Sequence, residues 1–278
     1  MDMIIDDSIP RAIVELKKRF VEGKNGRRFL SEVVPLENSS LVPIETTMLE
    51  SLHSFARANP IYFKSYESQI SSAPCRVYEG DINQYWLSSK KHDTSYQPFY
   101  PTWMLSAYAL ALGAKSLGFE QIVEIGSGDG RIAYCARLLG MESFGIEIDD
   151  DLVQLQERIS SITGVRYNAI RADATRFDYD SLELSRPMFF ISALPEMGEM
   201  LACNVIKRIT SVHALMHDCG FNFMGSHVMN ALSRDHTQWG WGTVIASFGL
   251  DLTCEVTLPT HWTTDQRLDT AYVYTRCR

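Results

Sequence analysis

The run Gln121-Ile122-Val123-Glu124-Ile125-Gly126-Ser127-Gly128-Asp129-Gly130-Arg131 constrains this chain more than any other. An apolar strand enters three glycines at alternate positions, and the apolar stretch from Ile132 to Leu139 continues as a helix. A strand, a glycine turn and a helix N-terminus together make a nucleotide-binding corner. A dinucleotide fingerprint is spaced G-x-G-x-x-G, its third glycine allowing close helix–strand packing. Here the spacing is G-x-G-x-G, and Arg131 stands where that third glycine would be. No Gly-Lys-Ser/Thr follows, so the corner is not a P-loop either.

The pattern around the corner sets the fold class. Met104 to Leu117 is a continuous apolar helix. Strands are expected at Gln121–Ile125, Ser143–Ile148, Arg166–Arg171, Met188–Ala193 and Gly220–Met224. Helices over Gly130–Leu139, over Asp151–Ser161 and from about Glu196 come between them. Asp251–Leu258 and Thr270–Thr275 alternate like strands, with no long helix between them. The expectation is an α/β fold: a Rossmann-like, mostly parallel seven-stranded sheet with an antiparallel C-terminal hairpin. Upstream, Ser8 caps a helix with Pro10 in its first turn, running to about Glu22. A second helix spans Glu45 to Ala58 and stops before Pro60. Residues 61–99, rich in tyrosine and serine, show weak periodicity and read as long loops. This divides the chain into a helical N-terminal extension, 1–95, and a nucleotide-binding domain, 96–278.

Composition narrows the partners. The chain has 278 residues, with 34 acidic against 26 basic side chains and a net charge of −8, which disfavours general attraction to nucleic acid. Residues 11–28 are a local exception, seven basic against two acidic, and read as a solvated face. The six cysteines are scattered without a C-x-x-C pair, which argues for reduced core thiols rather than zinc or disulfides. The first residues lack a basic n-region, and no apolar run approaches the roughly 18 residues of a membrane span. A cytoplasmic protein without membrane contact is expected.

The pattern acidic-x-Gly-x-Gly-x-Gly, formed by Glu124, Gly126, Gly128 and Gly130, resembles motif I of class I S-adenosylmethionine-dependent methyltransferases. The resemblance implies S-adenosyl-L-methionine as cofactor and S-adenosyl-L-homocysteine as product, bound by residues 96–278. It places the turn, Ser127 included, against the amino-acid part of the cofactor. Glu147, 21 residues after Gly126, becomes the acid that accepts from both ribose hydroxyls, and Ile148 lies against adenine. Asp149 reads as a helix cap. Asp173 would accept from the adenine amino group, with Ala174 beside it, and the backbone from Ser192 to Pro195 would contact cofactor or acceptor. The segment Phe99-Tyr100-Pro101-Thr102 resembles the lead-in of archaeal class I protein-lysine methyltransferases, in which Pro-Thr closes over the methionine part. Tyr100 and Thr102 would take that role; Trp103 stands where that family usually has proline.

The acceptor is bounded by exclusion. The Asn/Asp-Pro-Pro-Tyr/Phe motif of base-amine methylation and the Pro-Cys nucleophile of cytosine methylation are both missing after the fourth strand. The expected acceptor is a nitrogen or oxygen nucleophile of a protein, lysine included, or of a small molecule; nucleic acid is disfavoured. Glu196 and His227 are the candidate acid–base residues, with a helix-start acid and a loop histidine as their ordinary readings. His213 and His217 would share a helical face, but lack the glutamate of a His-Glu-x-x-His zinc site, and no metal is expected. Trp239 and Trp241 would wall an acceptor pocket or pack in the core. Two other classes stay open: a nicotinamide-dependent oxidoreductase, and a non-catalytic binding module on the same fold.

Overall fold

The computed structural model describes residues 7–22, 30–89, 99–192, 195–213, 215–224, 240–259 and 269–278. Its larger sheet has seven strands: β4 (Gln121–Ile125), β5 (Glu142–Glu147), β6 (Asn168–Arg171), β7 (Pro187–Ile191), β8 (Gly220–Met224), β9 (Asp251–Pro259) and β10 (Asp269–Arg276). They lie in the order β6-β5-β4-β7-β8-β10-β9. The first five are mutually parallel, and β10 runs antiparallel to both β8 and β9. This is the mostly parallel sheet with an antiparallel C-terminal pair that the strand pattern led us to expect. The central strands β4 and β7 are buried on both faces, which is why they read as continuous apolar runs.

Helices cover both faces. On one lie α4 (Met104–Ser116), α5 (Arg131–Leu138) and α6 (Asp150–Thr163). On the other lie α7 (Pro195–Thr210) and α8 (Trp241–Ser247). Local chemistry sets their ends. The Asp149 side chain accepts from the Asp151 amide at 2.9 Å and caps α6, as its sequence position suggested. Gly164, in the left-handed region at φ +73°, ends the same helix.

The N-terminal region departs from the expectation of helices and loops. Helices α1 (Ser8–Glu22) and α2 (Thr46–Ala58) fall where their signals lie. Between and after them run β1 (Leu30–Pro35), β2 (Tyr62–Ile70) and β3 (Ala73–Gly80), an antiparallel sheet in the order β1-β3-β2, followed by α3 (Asn83–Ser89). Residues 61–99 are therefore largely a hairpin and a helix rather than loops. Strand β2 hides the pattern because most of its residues are exposed or half-buried, with polar and aromatic side chains on both faces. In β3 the alternation is present but short: Ala73, Cys75 and Val77 are buried.

The two sheets share one core. Ile13, Leu16 and Phe20 of α1, Val33 and Val77 of the small sheet, and Leu105, Tyr272 and Tyr274 of the large unit belong to one apolar cluster. His53 ties α2 to the small sheet. Its Nε2 donates to the Pro35 carbonyl at 2.9 Å, so Nδ1 accepts from the Tyr78 hydroxyl at 2.8 Å. Burial pushes this imidazole down to about 4, and it packs as a neutral group. Among the described residues no helix is long and apolar enough to cross a membrane.

Candidate cofactor site

The glycine corner folds at the carboxyl end of β4, where open α/β sheets bind ligands. Gly126, Gly128 and Gly130 have φ of +65°, +56° and +75°, a region that residues with a Cβ enter only at a cost. The turn hangs on β5: the amides of Gly126 and Ser127 donate to the Ile146 carbonyl at 2.9 and 3.2 Å. The fully buried Gln156 of α6 supports it, its amide donating to Ser127 Oγ and to the Gly128 carbonyl, both at 2.9 Å. A Cβ on Gly128 would lie 2.7 Å from the Phe99 ring, so the lead-in aromatic covers the middle of the turn. A Cβ on Gly126 would meet nothing within 4 Å. The first glycine therefore borders open space.

The acids flanking the corner face inward. Glu124 Oε2 accepts from the Ala133 amide at 3.0 Å, satisfying an orphan donor at the N-terminus of α5. Burial pushes its carboxyl up to about 8, against the pull of the Ala133 and Ile132 amides. At neutral pH it is mostly protonated and has a proton to donate. Glu147 closes the end of β5. Its Oε2 accepts from the Gly128 amide at 2.8 Å, and its Oε1 from the amides of Ile148 and Asp149 at 2.8 and 3.0 Å. Burial raises this carboxyl too, and the three amides oppose the rise. A carboxylate offers about four acceptor positions, so these three bonds leave one, on Oε2.

The remaining predicted residues distribute around the same edge. Ile148 is half-buried after β5. Asp173 Oδ1 accepts from the amide and hydroxyl of Thr175 at 2.9 and 2.7 Å, a turn-holding geometry, and its Oδ2 lies 3.5 Å from Arg176 Nε. Ala174 is buried, its carbonyl accepting from Tyr179 Oη at 2.8 Å. Ser192 follows β7, its buried Oγ without a hydrogen-bond partner among the described residues. In the lead-in, Thr102 is buried while Tyr100 is half exposed. Glu196 falls in the first turn of α7, and its side chain lies outside the described residues, as do His227 and Trp239. Trp241 is core: its Nε1 donates to the Met224 carbonyl at 2.7 Å and its ring stacks on Phe223. His213 and His217 do not share a helical face, because α7 stops at Thr210.

The feature missed in the sequence is a buried ion cluster behind the turn. Arg131, 1% exposed, donates from Nε and Nη2 to the Asp129 carboxylate at 2.9 and 2.5 Å and from Nη1 to the Thr102 carbonyl. Its Nη1 also lies 3.4 Å from Glu32 Oε2 on β1. Glu32 is fully buried and accepts from the Tyr62 hydroxyl and the Met104 amide. Asn59 Nδ2 donates to Asp129 Oδ2 at 2.9 Å. The signal was there: an arginine opening an apolar helix, and a glutamate inside Ser31-Glu32-Val33-Val34, must be paired to be buried. Nothing local told one that the two were partners, 99 residues apart.

The strand order, the antiparallel C-terminal pair and the glycine turn at the end of β4 make a Rossmann-like α/β fold. No protein-family model and no curated protein sequence matches the chain. Solved structures similar to it include a ribosomal protein L11 methylase from Lactobacillus delbrueckii subsp. bulgaricus, with 12% identity, 63% of this chain and 80% of that one covered, and a TM-score of 0.42. Another is the tRNA (uracil-54, C5)-methyltransferase of Pyrococcus abyssi in complex with S-adenosyl-L-homocysteine, with 14% identity, 76% and 43% covered, and a TM-score of 0.46. A third is a mitomycin 7-O-methyltransferase, with 13% identity, 63% and 54% covered, and a TM-score of 0.47.

Proposed function

We propose that this chain is an S-adenosylmethionine-dependent methyltransferase, acting in the cytoplasm on a nitrogen or oxygen nucleophile of a protein or small molecule. The observation that carries the reading is the open space beside Gly126, on a turn whose Gly128 amide is held by the motif acid Glu147 and whose following helix is held by Glu124 through the Ala133 amide. The backbone of the turn offers close approach to a ligand, and the orphaned Ser192 Oγ lies at the end of the adjacent strand, β7. In this reading Gly126, Ser127, Gly128 and Gly130 border the amino-acid part of the cofactor. Glu147 and Ile148 face its ribose and adenine, and Asp173 and Ala174 the adenine edge. Thr102 and Tyr100 border its methionine end.

When bound, the cofactor supplies a methyl group on an electrophilic sulfonium. The chain has to align the acceptor, keep the site dry and accept or pass on one proton. Phe99 over the turn and the buried Thr102 exclude water from one side. Glu196 and His227 are the candidate proton acceptors. Arg131 in place of a third glycine, its guanidinium filling the space behind the turn, disfavours a nicotinamide dinucleotide. The lead-in resemblance favours a protein lysine amine among the acceptors. Labelled methyl transfer to fractionated lysate tests this. Label is expected in the protein or metabolite fraction; label confined to RNA would overturn the acceptor class, and none in any fraction would overturn methyl transfer.

A further inference from the structure

We propose that Glu32, on the N-terminal sheet, is a positioning residue for the cofactor turn, acting through Arg131 and Asp129; this rests on the S-adenosylmethionine reading of that turn. Two segments border the proposed ligand space: the turn itself, with Asp129 between Gly128 and Gly130, and the lead-in through Thr102 to Met104. One buried guanidinium holds both, through the Asp129 carboxylate and the Thr102 carbonyl. Glu32 is the second anion against that guanidinium, and it also takes the Met104 amide at the start of α4. Tyr62 donates to Glu32 from β2, and Asn59, between α2 and β2, donates to Asp129. Strands β1 and β2 thus reach across to the corner of another sheet and fix its polar groups.

The chemistry suits positioning better than simple cohesion. A buried ion cluster is often no more stabilising than apolar residues of similar volume, but its hydrogen bonds fix direction. A guanidinium presents its donors in a rigid plane, so setting one edge against Glu32 sets the other edge against Asp129. Burial raises the Glu32 carboxyl, and Arg131, the Tyr62 hydroxyl and the Met104 amide oppose that rise; Asp129 adds to it.

The test compares ligand-free Glu32→Gln with Val77→Ala, which hollows the same small sheet without touching the ion cluster. Hydrogen exchange is followed over residues 99–104 and 126–133. Exchange at least tenfold faster there in Glu32→Gln, with these segments unchanged in Val77→Ala at a matched loss of melting temperature, is the expected result. Equal exchange in the two variants would overturn the proposal. Tyr62→Phe removes the hydroxyl that donates to Glu32 and accepts from Arg131 Nη2 at 3.5 Å, while leaving both charges in place, and should give the same pattern at smaller amplitude even where Glu32→Gln folds poorly. Affinity for S-adenosylhomocysteine is measured alongside. A tenfold loss in Glu32→Gln but not in Val77→Ala is expected. A wild type that binds none would end the methyltransferase reading and leave the exchange result to decide the role of Glu32.

Discussion

Glu124 and His53 are buried groups whose protonation runs against their solution habits, and they load stability on opposite sides of neutrality. The His53 imidazole is held near 4, below its ordinary 6.5, so the unfolded chain binds the extra proton between those values. Its contribution is present above pH 6.5 and is lost as pH falls through 4. We expect thermal melts from pH 7 to 4.5 to show a loss approaching roughly 3 kcal/mol, with a flatter profile in His53→Gln. The Glu124 carboxyl, held near 8, works the other way: its contribution is present below pH 4.5 and is lost as pH rises through 8. Glu124→Gln copies the protonated acid. It should keep S-adenosylhomocysteine affinity at pH 7 and flatten the alkaline decline in melting temperature. Glu124→Ala orphans the Ala133 amide and should cost about 1–3 kcal/mol. The cap at Asp149 was legible in sequence because its partner lies two residues on. The role of Asp129 was not: Arg131 lies two residues on, but the cluster that buries the pair is completed by Asn59, 70 residues upstream, and Glu32.

Elements built on period and punctuation were read nearly to the residue: β4, β8, α1 and α2 match their signals, and the other parallel strands shift by one or two residues at their ends. The β2–β3 hairpin was missed because side-chain alternation betrays a strand only when one face is dry, and β2 has no fully dry face. The glycine corner is where element geometry bites hardest. Gly128→Ala places a methyl in the left-handed region, about 1–2 kcal/mol by itself, and drives it into the Phe99 ring. In a double-mutant cycle with Phe99→Ala, we expect denaturant melts to show a coupling above about 0.5 kcal/mol, the ring's removal relieving only the steric part. Additive effects would mean that Phe99 does not cover the turn in solution.

On the scale of the whole molecule, the described residues form two sheets that share one apolar cluster, with a second cluster on the far face of the larger sheet, and the two sheets are joined at the turn by buried charge. A fragment limited to residues 96–278 keeps the motif and the Arg131–Asp129 pair but loses Glu32, Asn59 and Tyr62, the N-terminal partners of that pair. Breaking a buried ion pair costs about 3–5 kcal/mol. The exposed α4 face adds to that, and we expect the fragment to lack a cooperative thermal transition. The division at residue 95 follows a change in composition, which sequence displays; the shared core follows from tertiary packing, which it does not. Whether the corner holds S-adenosylmethionine is read by calorimetric titration of the intact chain with S-adenosylhomocysteine. Saturable binding at one site is expected, weakened by about 1–3 kcal/mol, roughly 5- to 150-fold, in each of Glu147→Ala and Asp173→Ala. A folded wild-type chain that takes up no S-adenosylhomocysteine would contradict the S-adenosylmethionine reading.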